Sequence, residues 1–127
     1  MSRTGLLAAC ALMGLPVMAH HSGAQYDHTQ PATVFGVVTK MDWANPHSHL
    51  YLQVRDGNGE GAQWQFDLPS VNRLVRLGWT RHALNPGDQV TVIGAPLRGT
   101  SHVAWAINVL DASGRKLFVG SPVGASQ

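Results

Sequence analysis

Between residues 49 and 68, apolar and polar side chains take turns with a period of two. Leu50, Leu52 and Val54 fall on one face, and His49, Tyr51, Gln53 and Arg55 on the other. Ala62, Trp64, Phe66 and Leu68 then alternate with Gln63, Gln65 and Asp67. Two such runs predict two half-buried strands. Asp56-Gly57-Asn58-Gly59 lies between them and carries the residues that tolerate positive φ in a hairpin turn. Upstream, Thr33 to Trp43 is a near-continuous β-branched and aromatic run, ended by the turn starter Asn45-Pro46.

After Leu68 the period changes. Ser70 suits a helix N-cap, Val71, Leu74 and Val75 form an i, i+3, i+4 stripe, and Gly78 suits the stop. The spacing predicts a helix of about two turns over 70–77. Asn85-Pro86-Gly87-Asp88 places Pro and Gly as a type II turn wants them. Strands follow at Gln89–Gly94 and His102–Leu110, then a turn at Asp111–Gly114 and a short strand to Val119. This order predicts a mainly β fold. It is a small five-stranded antiparallel barrel of the oligonucleotide/oligosaccharide-binding type, with one short helix between strands three and four. The alternative is a small sandwich that lacks the closing contacts. The barrel domain is expected over 33–120, with an arm over 20–32 and a loose tail over 121–127.

The first nineteen residues follow a different logic. One cation, Arg3, precedes an apolar run from Leu6 to Met18, and Val17-Met18-Ala19 offers small or slender residues at a cut. That is the pattern of a secretory signal peptide over 1–19, cleaved after Ala19. The run is shorter than the roughly 20 residues that a membrane-spanning helix needs. The expectation is a periplasmic or secreted bacterial protein with no stable membrane span in its mature form. Leu7-Ala8-Ala9-Cys10 resembles a lipid-attachment box, but few apolar residues precede it. Cys10, the single cysteine, then leaves with the signal, and neither disulfides nor thiolate metal sites remain.

Charge changes the picture mainly by exclusion. Nine Lys and Arg face seven Asp and Glu. That near-balance supplies no electrostatic footprint for nucleic acid. Arg73, Arg76 and Arg81 around the helix are expected to be a solvated face.

Several short motifs act together. They are His20-His21-Ser22 after the cut, Trp43-x-Asn45-Pro46-His47, Gly78-Trp79-Thr80-Arg81, Pro86-Gly87-Asp88, and Gly114-Arg115-Lys116-Leu117-Phe118. As a set they resemble a family of uncharacterised exported bacterial proteins that carries a domain-of-unknown-function designation. The resemblance implies export and a small β-domain, and brings no established activity. The chain departs from the family where Gly23-Ala24 stands in place of an early aromatic, and at His49.

Histidine is the concentrated chemical signal, with seven in the chain. A mature chain starting at His20 would offer an α-amine and an imidazole on one residue, and the amine pKa near 8 makes its deprotonation cheap. His47 and His49 are two apart, so period two puts them on one outward face with Tyr51, with Cα atoms roughly 6.5–7 Å apart. Nitrogen ligation by His20, His47 and His49, with His21 beside them, suits Cu(II) best, ahead of Zn(II) and Ni(II). The plain alternatives are a solvated His20-His21 start with weak adventitious Cu(II) affinity, a His47 that braces its turn, and an exposed His49. His28, His82 and His102 are expected at the surface.

Catalytic chemistry has little support. No serine has a nucleophile-elbow setting, the acids sit mostly at turns, and no phosphate loop or dinucleotide fingerprint occurs. No catalytic residue is assigned. The expectation is therefore an exported binding module whose partner is a Cu(II)-like ion or another exported protein. A non-metal ligand or protein module is the alternative, using a barrel rim of Trp43, Asn45, Tyr51 and Trp79. A mononuclear copper enzyme stands third. Trp64 and Trp105 are expected in the core.

Overall fold

The computed structural model describes residues 24–55, 57–59 and 61–119. The expected signal peptide over 1–19, His20, His21 and the expected tail over 121–127 lie outside the described residues. The elements are β1 (Ala32–Asp42), β2 (His49–Arg55), β3 (Gly61–Asp67), α1 (Val71–Arg76), β4 (Gln89–Pro96), β5 (Val103–Asp111) and β6 (Lys116–Val119). The sheet order is β3-β2-β1-β4-β5-β6, and an extra pairing of β3 with β5 closes the first five strands into a barrel. Four of the five barrel pairings are antiparallel, whereas the closing one is parallel. The fold is thus the expected five-stranded barrel with one helix between strands three and four, except that the parallel closing pair makes it mixed where a wholly antiparallel barrel was expected.

The alternation read in β2 and β3 holds. Leu50, Leu52 and Phe66 are wholly buried, and Leu50 pairs with Phe66 across the hairpin. β1 contributes Val34 and Val38 to the same core, while Phe35 and Val37 point to solvent. Closure needs two strands to come close to their neighbours. A Cβ on Gly94 would lie 2.9 Å from the Trp105 carbonyl oxygen and 3.0 Å from Phe66 Cε1, so only glycine fits there without a shift.

The helix is shorter than expected. Ser70 accepts a hydrogen bond from the Arg73 amide, as an N-cap does. Leu74 is buried, but Val75 is 55% exposed, because a six-residue helix seats only one side chain in the barrel mouth. Trp79 and Leu84, from the segment after the helix, join the same core.

The β5–β6 hairpin is held by Asp111. Its carboxylate accepts from the Ser113 hydroxyl and amide, the Arg115 amide and Arg115 Nε. These bonds, the Ser113 hydroxyl first, pull its pKa down to about 2 from 3.8. A depressed carboxylate stabilises above its unfolded value and loses that contribution as pH falls through its folded value. The hairpin should therefore be fully held above about pH 4 and loosen as pH falls towards about 2. Amide exchange at Ser113 and Arg115 measures this, and exchange that stays flat across that window would contradict it.

Candidate functional site

The loop from β1 to β2 is built by its own side chains. Ser48, wholly buried, donates to the Ala44 carbonyl at 3.1 Å and accepts from the Ala44 amide at 3.2 Å. Its backbone carbonyl accepts from the Leu68 amide at 2.9 Å, and its amide donates to the Pro69 carbonyl at 3.2 Å. Asn45 Oδ1 accepts the Val71 amide at 3.1 Å, one of the helix's orphan donors. The Trp-x-Asn-Pro-His motif thus ties this loop to the start of α1. Asn45→Ala should cost about 1 kcal/mol, as loss of a helix cap does, measured by chemical denaturation. No measurable cost would contradict the capping role.

This scaffold fixes His47. A carbonyl only accepts, so the His47 Nδ1–H donates to the Leu68 carbonyl at 3.3 Å. In the neutral ring the lone pair then sits on Nε2. The ring meets Trp105 edge to face, with centroids 5.7 Å apart. His49 opens β2 and pairs with Asp67 of β3, which pairs in turn with Trp105 of β5. His49 Nε2 lies 3.5 Å from Asp67 Oδ1. Both histidines are half-buried, as the outward face with Tyr51 requires.

Asp67 is the hub of this face. Its Oδ1 also accepts from Gln65 Nε2 at 2.8 Å, and its Oδ2 accepts the Tyr26 hydroxyl. Tyr26 comes from the N-terminal arm and is buried against Trp105, with ring centroids 6.0 Å apart. Two backbone hydrogen bonds fasten the arm to the end of β4: the Asp27 amide to the Pro96 carbonyl, 2.7 Å, and the Arg98 amide to the Gln25 carbonyl, 3.0 Å. Burial, then the hydrogen bond to Asp67 and its charge, push the Tyr26 hydroxyl well above its ordinary pKa. It stays protonated, and a donor, through neutral pH.

The expected rim divides. Trp79 is 3% exposed and belongs to the core, so it cannot face a ligand. The reason is that α1 is too short to fill the barrel mouth, and the indole fills it. Asn45 is exposed but spends its side-chain oxygen on the helix cap. Trp43 is half-buried against the core. Tyr51 lies on the outer face with Lys40 Nζ 5.5 Å above its ring.

Other placements depart from the sequence reading as well. Trp105 is buried, but in a second cluster with Tyr26 and Ala95, on the opposite face of β5 from the barrel core. Trp64 is half-buried, stacks on Phe66 and meets the His102 ring at a tilt. His28 is not a free surface residue, since both ring nitrogens are buried. His82 and His102 are exposed, as expected. Sequence reasoning missed Tyr26, Asp67 and Trp105 as a group. One signal was available: a hairpin centred on Asn58 must pair His49 with Asp67.

A model of a family of unknown function, DUF6152, matches residues 8–105. The chain belongs to DUF6152. The matched stretch includes the Trp-x-Asn-Pro-His loop, α1 and the Asp67 hub, and ends at Trp105. The Gly114–Phe118 motif of this DUF6152 chain lies beyond the match. No curated protein and no solved structure matches the chain.

Among the described residues, no three His, Cys, Asp or Glu side chains group as a metal site would need. His47 and His49 could supply two nitrogens, so a site there requires a ligand from outside the described residues. Among those residues, too, no helix is long and apolar enough to cross a membrane.

Proposed function

We propose that the chain is an exported binding module that holds a Cu(II) ion through His20, His47 and His49. In this reading the leader is removed after Ala19, and the new α-amine and imidazole of His20 complete the ligand set, with His21 adjacent. The observation that carries it is that one ring nitrogen of each histidine faces an oxygen of the barrel. His47 Nδ1 is engaged by the Leu68 carbonyl, and His49 Nε2 faces Asp67. Histidine ligands are commonly oriented by such a carbonyl or carboxylate on the other nitrogen. That leaves His47 Nε2 and His49 Nδ1 for an ion.

Reach is sufficient. The six residues from His20 to Tyr26 span at most about 20 Å. Tyr26 and His49 both meet Asp67. The rim reading has lost two of its residues, Trp79 to the core and Asn45 to the cap, and no observation favours it over the ion.

The test is the start itself. Exported protein beginning at His20 is compared with the same protein acetylated at its N-terminus, each loaded with one equivalent of Cu(II). The paramagnetic resonance spectra should differ, and the acetylated protein should bind more weakly, because its α-amine has become an amide. Identical spectra and affinities would contradict the reading.

A further inference from the structure

We infer that the barrel wall carries a peptide slot, which the N-terminal arm fills as an internal ligand, and that the slot takes an extended segment of another protein bearing an unmodified tyrosine. Neither the slot nor its test involves the ion. The arm reaches the wall by strand addition, a recurring mode of peptide recognition. Tyr26 makes an antiparallel bridge with Leu97. The Asp27 amide donates to the Pro96 carbonyl and the Arg98 amide to the Gln25 carbonyl, one bond on either side of that bridge. In this mode main-chain bonds give affinity and side-chain pockets give selection. The selecting side chain is Tyr26. Its ring lies in a buried cluster with Trp105 and Ala95, flanked by Leu97 and Ile107, and its hydroxyl donates to Asp67. A phenylalanine there would forgo that bond. A phosphotyrosine would set its own charge against the carboxylate.

The arm is a replaceable occupant. It bridges to the sheet at Tyr26, outside the named strands, and it lies outside the barrel core. It also fits imperfectly. His28, two residues after Tyr26, has both ring nitrogens buried with no hydrogen-bond partner among the described residues. Trp105 is 4% exposed, and its indole N–H likewise finds no acceptor there. Buried groups left in this way forfeit the hydrogen bonds that water gives them. A segment with a tyrosine, and an apolar residue two places after it, would seat without the loss at His28. The arm offsets its poorer fit by being tethered, which holds it at high effective concentration. A better-fitting segment therefore competes with it.

The test uses the full chain with Tyr26→Ala, whose own arm has lost its anchor, and peptides copying residues 24–31. Because Tyr26 lies outside the barrel core, circular dichroism should match wild type. Hydrogen exchange of the Asp27 amide should speed up in the variant. The unaltered peptide should move the Trp105 indole and Arg98 amide resonances of the variant back toward their wild-type positions. It should bind wild type at least about tenfold more weakly, because only the arm-open fraction is competent. A peptide with His28→Val should bind the variant more tightly than the unaltered one. A peptide with Tyr26→Ala, and one with phosphotyrosine, should leave both resonances unmoved.

Resonances that the unaltered peptide leaves unmoved would overturn the slot. So would a Tyr26→Ala peptide that binds as well as the unaltered one, or an Asp27 amide in the variant as protected as in wild type. Equal binding of the His28→Val peptide would overturn the imperfect fit that makes the arm replaceable. A concentration-dependent wild-type dimer, with arms exchanged between copies, would overturn the foreign occupant in favour of a second copy of this chain.

Discussion

Replacing Phe66 by Ala is expected to cost about 3–5 kcal/mol of stability, the range for a large aromatic truncated in a core that cannot collapse. Phe66 has no exposed surface and lies near the end of β3, the strand that both completes the β2–β3 hairpin and closes the barrel. Leu50 pairs with it on one side and Ala104 on the other, and Trp64 stacks on its ring at 5.6 Å. Gly94 approaches its edge so closely that a Cβ would touch it. Backbone on one side and strand pairing on two others leave little room to relax, so the cavity should persist. Urea denaturation measures the loss. A cost below about 1 kcal/mol would mean that the closing pair is not tightly packed.

Replacing His47 by Ala is expected to weaken Cu(II) binding by a hundredfold or more, on the order of 3 kcal/mol. The variant removes a ring that the Leu68 carbonyl holds in one orientation, and a chelate that loses a fixed ligand loses more than one nitrogen's share. The fold should survive, because the lost hydrogen bond to the carbonyl is worth about 0.5–1.5 kcal/mol. His102→Ala is the control. That ring is exposed and meets Trp64 at a tilt, and its loss should leave affinity unchanged. Binding in wild type should weaken with acidification, because protons compete with the ion for its nitrogen ligands. Competition titration against a chelator of known affinity reads all three. Equal affinity in wild type and His47→Ala would remove His47 from the site.

Much of the barrel is legible in the chain. The period-two runs at 49–55 and 61–68 identify a hairpin whose inward residues, Leu50, Leu52 and Phe66, are those found buried. The change of period after Leu68 locates the helix, and the order of elements identifies the barrel. Less legible is whatever depends on side chains meeting over long chain separations. Val75 reads as part of an apolar stripe, yet the helix ends before a second buried position forms. Trp79 reads as a rim residue because it stands at an element end, and only the short helix makes room for it in the core. Asn45 reads as a turn residue, and its bond to Val71 spans 26 positions. Tyr26 and Asp67 are 41 apart, and no local pattern in the polar arm marks where that arm will lie. Trp105 alternates correctly as a buried strand residue, but period two cannot say that the arm, rather than the barrel, covers it.

The most direct test of the central claim is a Cu(II) competition titration of exported, native-start protein beside a peptide copying residues 20–28. The peptide contains the His20-His21 start and His28 without the barrel. If His47 and His49 share the ion with His20, the protein should bind one Cu(II) at least about a hundredfold more tightly than the peptide, a difference on the order of 3 kcal/mol. Equal affinities would contradict the claim, because the ion would then be held by the flexible start alone and the barrel would supply no ligand.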